Sequence, residues 1–140
     1  MSHQVKTIWK DKVAFDSQID KHTLRIDTSA PLGDDTGPSP KKLLLSSLAG
    51  CTGMDVVSLL QKMRVEVTGF EMDIEADLTE EHPIVYSEIR LKYRFFGTDL
   101  NKEKVEKAVK LSQERYCGVS EMLRRSSPIV YSIEYVDDAS

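Results

Sequence analysis

Two cysteines, Cys51 and Cys117, and three histidines, His3, His22 and His82, are the residues whose types could carry nucleophilic, redox or metal chemistry. The histidines fall in a terminus and in turn or loop segments, with no i,i+4 partner and no cysteine beside them, so no metal site is expected. There is no GxSxG, no glycine-rich phosphate loop and no HExxH, which leaves serine-hydrolase, nucleotide and zinc-protease chemistry without a starting point. The cysteines stand 66 positions apart (51 to 117), a spacing that fits neither a CxxC pair nor a metal knuckle. If they act together, the fold must bring them together. A thiol attacks only as thiolate, held by a nearby cation or a helix N-terminus. Taken singly, a cysteine in an apolar helix is more often a small packing residue.

The elements that would have to position them follow from the hydrophobic pattern. Residues 5–27 read as three short strands, with Val5, Thr7 and Trp9 alternating against Lys6, Ile8 and Lys10, then Val13 to Ile19 and Thr23 to Asp27. Turns are expected near Asp11-Lys12 and Asp20-Lys21. Ala30 to Pro40, with Pro31, Gly33, Gly37, Pro38 and Pro40, must be a loop. Ser39 and Pro40 then open a helix to about Arg64. Its apolar residues, among them Leu43, Leu44, Leu48, Met54, Val56, Val57, Leu60 and Met63, cover most of the circumference. It is expected to be buried nearly all round, with a partner subunit covering what one sheet cannot. Cys51 lies deep in this helix, inside the small-residue run from Ser46 to Gly53, so an activating cation has to come from another element.

Phe70 to Leu78 and Glu88 to Phe95 alternate strictly, one outer face acidic and the next mainly basic, which suits an antiparallel hairpin with one wet face. Asn101 is a plausible N-cap for a second helix through about Arg125, with Cys117 beside its apolar stripe. A closing strand from Ile129 to Val136 follows Pro128. The expected order is βββ-α-ββ-α-β, an α+β fold.

At 140 residues, 40% hydrophobic and 30% charged, the chain is sized for one globular domain, 1–140, rather than two. A net charge of −4 and an acidic isoelectric point near 5.4 argue against nucleic acid as a main partner. The N-terminus has no apolar h-region, and Ser46, Ser47, Thr52 and Asp55 interrupt the longest apolar stretch. Neither a signal peptide nor a membrane span is expected, which places the protein in the cytoplasm. In that reducing setting two cysteines are not a structural staple.

The run Gly37-Pro38-Ser39-Pro40-Lys41-Lys42-Leu43, followed by Leu48-Ala49-Gly50-Cys51, resembles the "G-x-x-P…L…A-x-C" central helix of the OsmC/Ohr family (osmotically induced protein and organic hydroperoxide resistance). Ser112 to Ser120 is similar to its second-cysteine motif, "C-P-x-S", with Gly118 in place of proline. Element order and inter-cysteine distance agree over nearly the whole chain. Asp55-Val56-Val57-Ser58 and Leu60-Gln61-Lys62 bring the chain closest to the YhfA-like branch.

The resemblance implies an OsmC-like fold in an intertwined homodimer, without metal, flavin or haem. It also implies peroxidase chemistry, an oxidoreductase role in the oxidative stress response. Cys51 would attack an organic hydroperoxide and become sulfenic acid, Cys117 would condense with it, and an external dithiol would reset the pair. Two positions depart from the family pattern. Its peroxidase members carry a glutamate ten residues before the first cysteine, where Lys41 stands here. They also carry an arginine in the N-terminal strands, whose place falls near Lys10 to Lys12, whereas Arg25 comes later. Lys10, Lys12, Arg25 and Lys41 are therefore the candidate thiolate-activating cations. The alternative on the same scaffold is a non-catalytic or redox-sensing module that binds a small apolar ligand at the dimer interface.

Overall fold

The computed structural model describes residues 1–138, grouped into two compact units, Met1–Ser46 and a second from Ser47 onward. The first unit is an antiparallel meander of β1 (Lys6–Asp11), β2 (Ala14–Ile19) and β3 (His22–Ile26). Its reversals fall where the turn residues predict, with Lys12 and Asp20 at φ of 47° and 55°. Facing residues reinforce the register: Thr7 bonds Ser17 at 3.1 Å, and the Arg25 guanidinium meets Asp16 at 2.5 Å. After β3 the chain wraps around the buried Asp27 carboxylate before entering helix α1 (Pro40–Lys62). Proline is well suited to the first turn, where its missing N–H would have no helical acceptor.

The second unit is a three-stranded sheet with helices on one face. β4 (Gly69–Leu78) and β5 (Tyr86–Gly97) pair antiparallel, and Glu71, Asp73 and Glu75 face Arg94, Lys92 and Arg90. The complementary charges close into ion pairs on the wet face, Arg90 with Asp77 at 2.8 Å and Arg94 with Asp73 at 2.9 Å. The opposite face of β5 turns Ile89, Leu91, Tyr93 and Phe95 inward, all buried, with Phe70 of β4 stacked on Phe95 at 4.5 Å between ring centres. β6 (Ile129–Asp137) runs parallel to β5. A parallel neighbour requires a crossover, and α2 (Lys102–Leu111) and α3 (Gly118–Arg124) supply it.

α1 reaches the sheet along one stripe. Leu48, Thr52, Val56 and Leu60 recur every four residues and are buried, each apolar one contributing about 1.5–3 kcal/mol relative to full exposure. Gly53 lets the helix approach closely, since a Cβ there would stand 2.7 Å from the Met72 methyl carbon. The expectation of burial on nearly every side is not met within one chain, where Met54 is 77% and Val57 40% exposed. One sheet has one face to offer, and it takes one stripe. By length and composition α1 could cross a membrane, although its inward stripe carries the buried hydroxyl of Thr52.

The second helix differs from its predicted form. Asn101 does cap it, its side-chain oxygen accepting the Lys104 N–H at 3.1 Å, but the helix does not run unbroken to Arg125. It widens into a π turn at Ser112–Tyr116, opens at Cys117 and restarts as α3. The Cys117 N–H donates to the Ser112 carbonyl five residues back, at 2.8 Å. Residues 112–116 are ordinary helix formers, so the break arises from what Ser112 and Gln113 bind in the interior.

Candidate functional site

Cys51 lies on α1, half-buried, and Cys117 is buried at the break between α2 and α3; both are free thiols. A helix and a helix break distant in sequence thus deliver the two sulfurs to one point. Asp55 joins them, one helical turn after Cys51 and therefore on the same face. Both sulfurs and an Asp55 carboxylate oxygen lie within 4.8 Å of one another.

Cys117 is positioned by its backbone. With φ −78° and ψ 99° it is extended and caps α3, its sulfur accepting the Ser120 N–H at 3.3 Å. Burial pushes the Cys117 thiol up, and the neighbouring Cys51 adds to that. The hydroxyl and N–H of Ser120 work against it by favouring the thiolate.

Behind the thiols runs a chain of buried hydroxyls. Gln113 donates from Nε2 to the Tyr93 oxygen at 2.8 Å. Thr52 Oγ1 lies 2.7 Å from both the Tyr93 hydroxyl and Ser112 Oγ, and Ser112 Oγ donates to Asp55 Oδ2 at 3.0 Å. Each hydroxyl has one proton to give, so the carboxylate at the end fixes every direction. Ser112 gives its proton to Asp55, Thr52 gives its own to Ser112, and Tyr93 to Thr52. The bonds polarise one another toward Asp55. They also explain the π turn, because widening the helix is what aims both Ser112 and Gln113 at the interior. Burial raises the Tyr93 phenol, with Thr52 and Gln113 partly offsetting it.

Of the residues singled out by sequence, the fold brings together Cys51 and Cys117. The four candidate cations belong to the first unit. Lys12 bonds Asp34 at 2.8 Å and Arg25 bonds Asp16, so both charges already have carboxylate partners. Lys10 lies exposed on β1, and Lys41 follows Pro40 in the first turn of α1. Sequence reasoning passed over Asp55, although its i,i+4 spacing from Cys51 was a usable signal. Thr52, Tyr93, Ser112 and Gln113 carried no such signal, because their partners lie 41 to 61 residues away, apart from the Gln113–Tyr93 bond across 20.

Comparison with known proteins agrees with this architecture. The family model for OsmC-like proteins matches residues 33–132. Protein YhfA of Escherichia coli (strain K12) is 34% identical over 134 residues, covering 95% of this chain and 98% of its own. A solved structure from Aquifex aeolicus VF5 superposes with a TM-score of 0.88 at 30% identity, covering 99% of this chain and 98% of that one. The organic hydroperoxide resistance protein OhrB of Bacillus subtilis shares the fold at a TM-score of 0.68 and 17% identity, over 96% and 98% of the two chains.

Proposed function

The chain belongs to the OsmC-like family, and from that premise we propose that it is a thiol-dependent reductase of organic hydroperoxides. The observation that carries this reading is the convergence of two free thiols, from α1 and from the α2–α3 break, to within 4.8 Å, in a fold shared with an organic hydroperoxide resistance protein.

In the proposed cycle the Cys51 thiolate attacks the O–O bond. Its sulfur takes the terminal oxygen and becomes sulfenic acid, and the other oxygen leaves as alkoxide and is protonated to the alcohol. Cys117 then displaces water from the sulfenic acid, forming the disulfide, and a cytoplasmic dithiol reduces it by exchange. The half-buried position of Cys51 suits the attacking thiol, and the buried, raised Cys117 suits the resolving one. Among the candidate cations Lys12 and Arg25 are tied to Asp34 and Asp16, which gives the exposed Lys10 a better claim than either to activate Cys51. The exposed apolar residues of α1, Met54 and Val57, support assembly as a homodimer, with an unfolding midpoint that rises with protein concentration.

Steady-state consumption of cumene hydroperoxide and hydrogen peroxide with a dithiol tests the reading. Faster turnover of the organic substrate, abolished by Cys51→Ser, is expected. Consumption that persists at the wild-type rate in Cys51→Ser would sink it.

A further inference from the structure

We propose that reduced Cys51 and Cys117, together with Asp55, form a binding site for a thiophilic divalent cation of the zinc class. Two sulfurs and a carboxylate oxygen, all within 4.8 Å of one another, are the donor set such an ion takes. Tetrahedral coordination, with Zn–S near 2.3 Å and Zn–O near 2.0 Å, places the donors about 3.5–3.8 Å apart, which small side-chain rotations reach from here. Cys51 and Asp55 are only half-buried, leaving a side through which the ion enters and a water completes its shell.

The surroundings of Asp55 argue for a cation more strongly than the count of donors does. A carboxylate oxygen within 4.8 Å of two sulfurs would meet like charge in each thiolate, and a cation between the three turns that repulsion into attraction. The chain of hydroxyls from Tyr93 through Thr52 to Ser112 orients the carboxylate, as outer-shell donors do around metal ligands. The second sulfur is prepared as well: it accepts the Ser120 N–H, and the Ser120 hydroxyl is buried with no oxygen or nitrogen partner among the described residues.

Binding exchanges the two thiol protons for the metal. Metal-loaded and disulfide states exclude each other, because the same two sulfurs serve both. Metal binding does not depend on the peroxidase reading, and its test uses no peroxide.

The reduced full-length protein, titrated anaerobically with Co²⁺, is expected to develop thiolate-to-cobalt charge-transfer and tetrahedral d–d absorption. These should saturate at one ion per chain, release protons and vanish on adding Zn²⁺. Asp55→Asn should weaken binding at least tenfold, and Ser112→Ala, which removes the donor to the carboxylate, by about 10–100-fold. Circular dichroism checks the fold of both variants, and Ser112→Ala decides the point if Asp55→Asn does not fold. Diamide takes up two electrons and two protons as the sulfurs join, so the oxidised protein should bind no cobalt. Absence of charge-transfer absorption in the reduced wild type with cobalt in excess would overturn the proposal. Unchanged affinity in the folded variants would overturn it equally.

Discussion

Asp27, in the loop of the first unit, and Asp55, on α1 in the second, both take hydrogen bonds from hydroxyls, and they differ in how much of their acceptor capacity is used. Asp27 receives the Thr36 hydroxyl at 2.6 Å and the N–H groups of Thr36 and Thr28 at 3.0 and 2.8 Å. The Thr36 bonds foremost hold its carboxyl down at about 2. Nearly every lone pair is occupied, which is what a carboxylate that organises a loop requires. Asp55 receives the Ser112 hydroxyl and faces two sulfurs. It keeps capacity on the side where the thiols stand, which is what a carboxylate in a reactive site requires. The two residues look alike in sequence, and their surroundings divide them into scaffold and chemistry.

The largest expected effect lies on the scaffold side. Gly33 is packed so tightly on Asp27 that a Cβ would stand 2.4 Å from both Asp27 Oδ1 and the Thr28 carbonyl oxygen. Backbone has to move, so Gly33→Ala should lower stability by about 3 kcal/mol, read from denaturant unfolding. A wild-type midpoint would mean the loop is not built around Asp27.

Next comes Thr52→Val, which keeps shape and deletes the middle hydroxyl of the chain. The Tyr93 O–H loses its acceptor at a fully buried position, a cost of about 1–2 kcal/mol, and Asp55 loses its polarised support. If the variant is as stable as the wild type, the hydroxyl chain is incidental.

Acid separates the two carboxylates further. The folded value of Asp27 lies below its ordinary 3.8, so its contribution is complete above about pH 4 and is lost as pH falls toward 2. Asp27→Asn should remove that part of the pH dependence, leaving a flatter stability profile between pH 4 and 2. An unchanged slope would assign the acid sensitivity to other carboxylates, such as Asp77, which its bond to Arg90 holds low.

Asp55→Asn should change stability least, by about 0.5 kcal/mol or less, because the amide oxygen still accepts from Ser112. Its effect belongs to the thiols. With the negative charge gone, both sulfurs should alkylate faster than in the wild type at the same pH, since the attacking anions no longer face a carboxylate within 4.8 Å. An unchanged alkylation rate would show that Asp55 exerts no field on them.

Legibility in sequence follows the same division. The alternation of Glu71 to Asp77 against Arg90 to Arg94 specifies its own register, because a slip of one residue would turn each apolar side chain outward. Asn101 announces a helix start, and the prolines and glycines of 30–40 announce a loop, because turn chemistry is local. The break at Cys117 is not local: it depends on Thr52 and Tyr93 drawing Ser112 and Gln113 inward, and those contacts exist only after folding. Gly118, standing where the resembling motif has proline, was the one visible mark of an interruption there. Overestimating the burial of α1 has the same root, since apolar composition states what a helix could bury and not which face one chain covers.

The central claim is that Cys51 and Cys117 are partners in one oxidation. Reduced protein is treated with one equivalent of cumene hydroperoxide and examined by mass spectrometry, wild type beside Cys117→Ser, with dimedone present. The wild type should lose both thiols to an internal Cys51–Cys117 disulfide, closing a separation of up to 4.8 Å to about 2.0 Å. The variant should carry a dimedone adduct on Cys51 alone. Two free thiols in the treated wild type, or a variant that yields no adduct, would contradict the account.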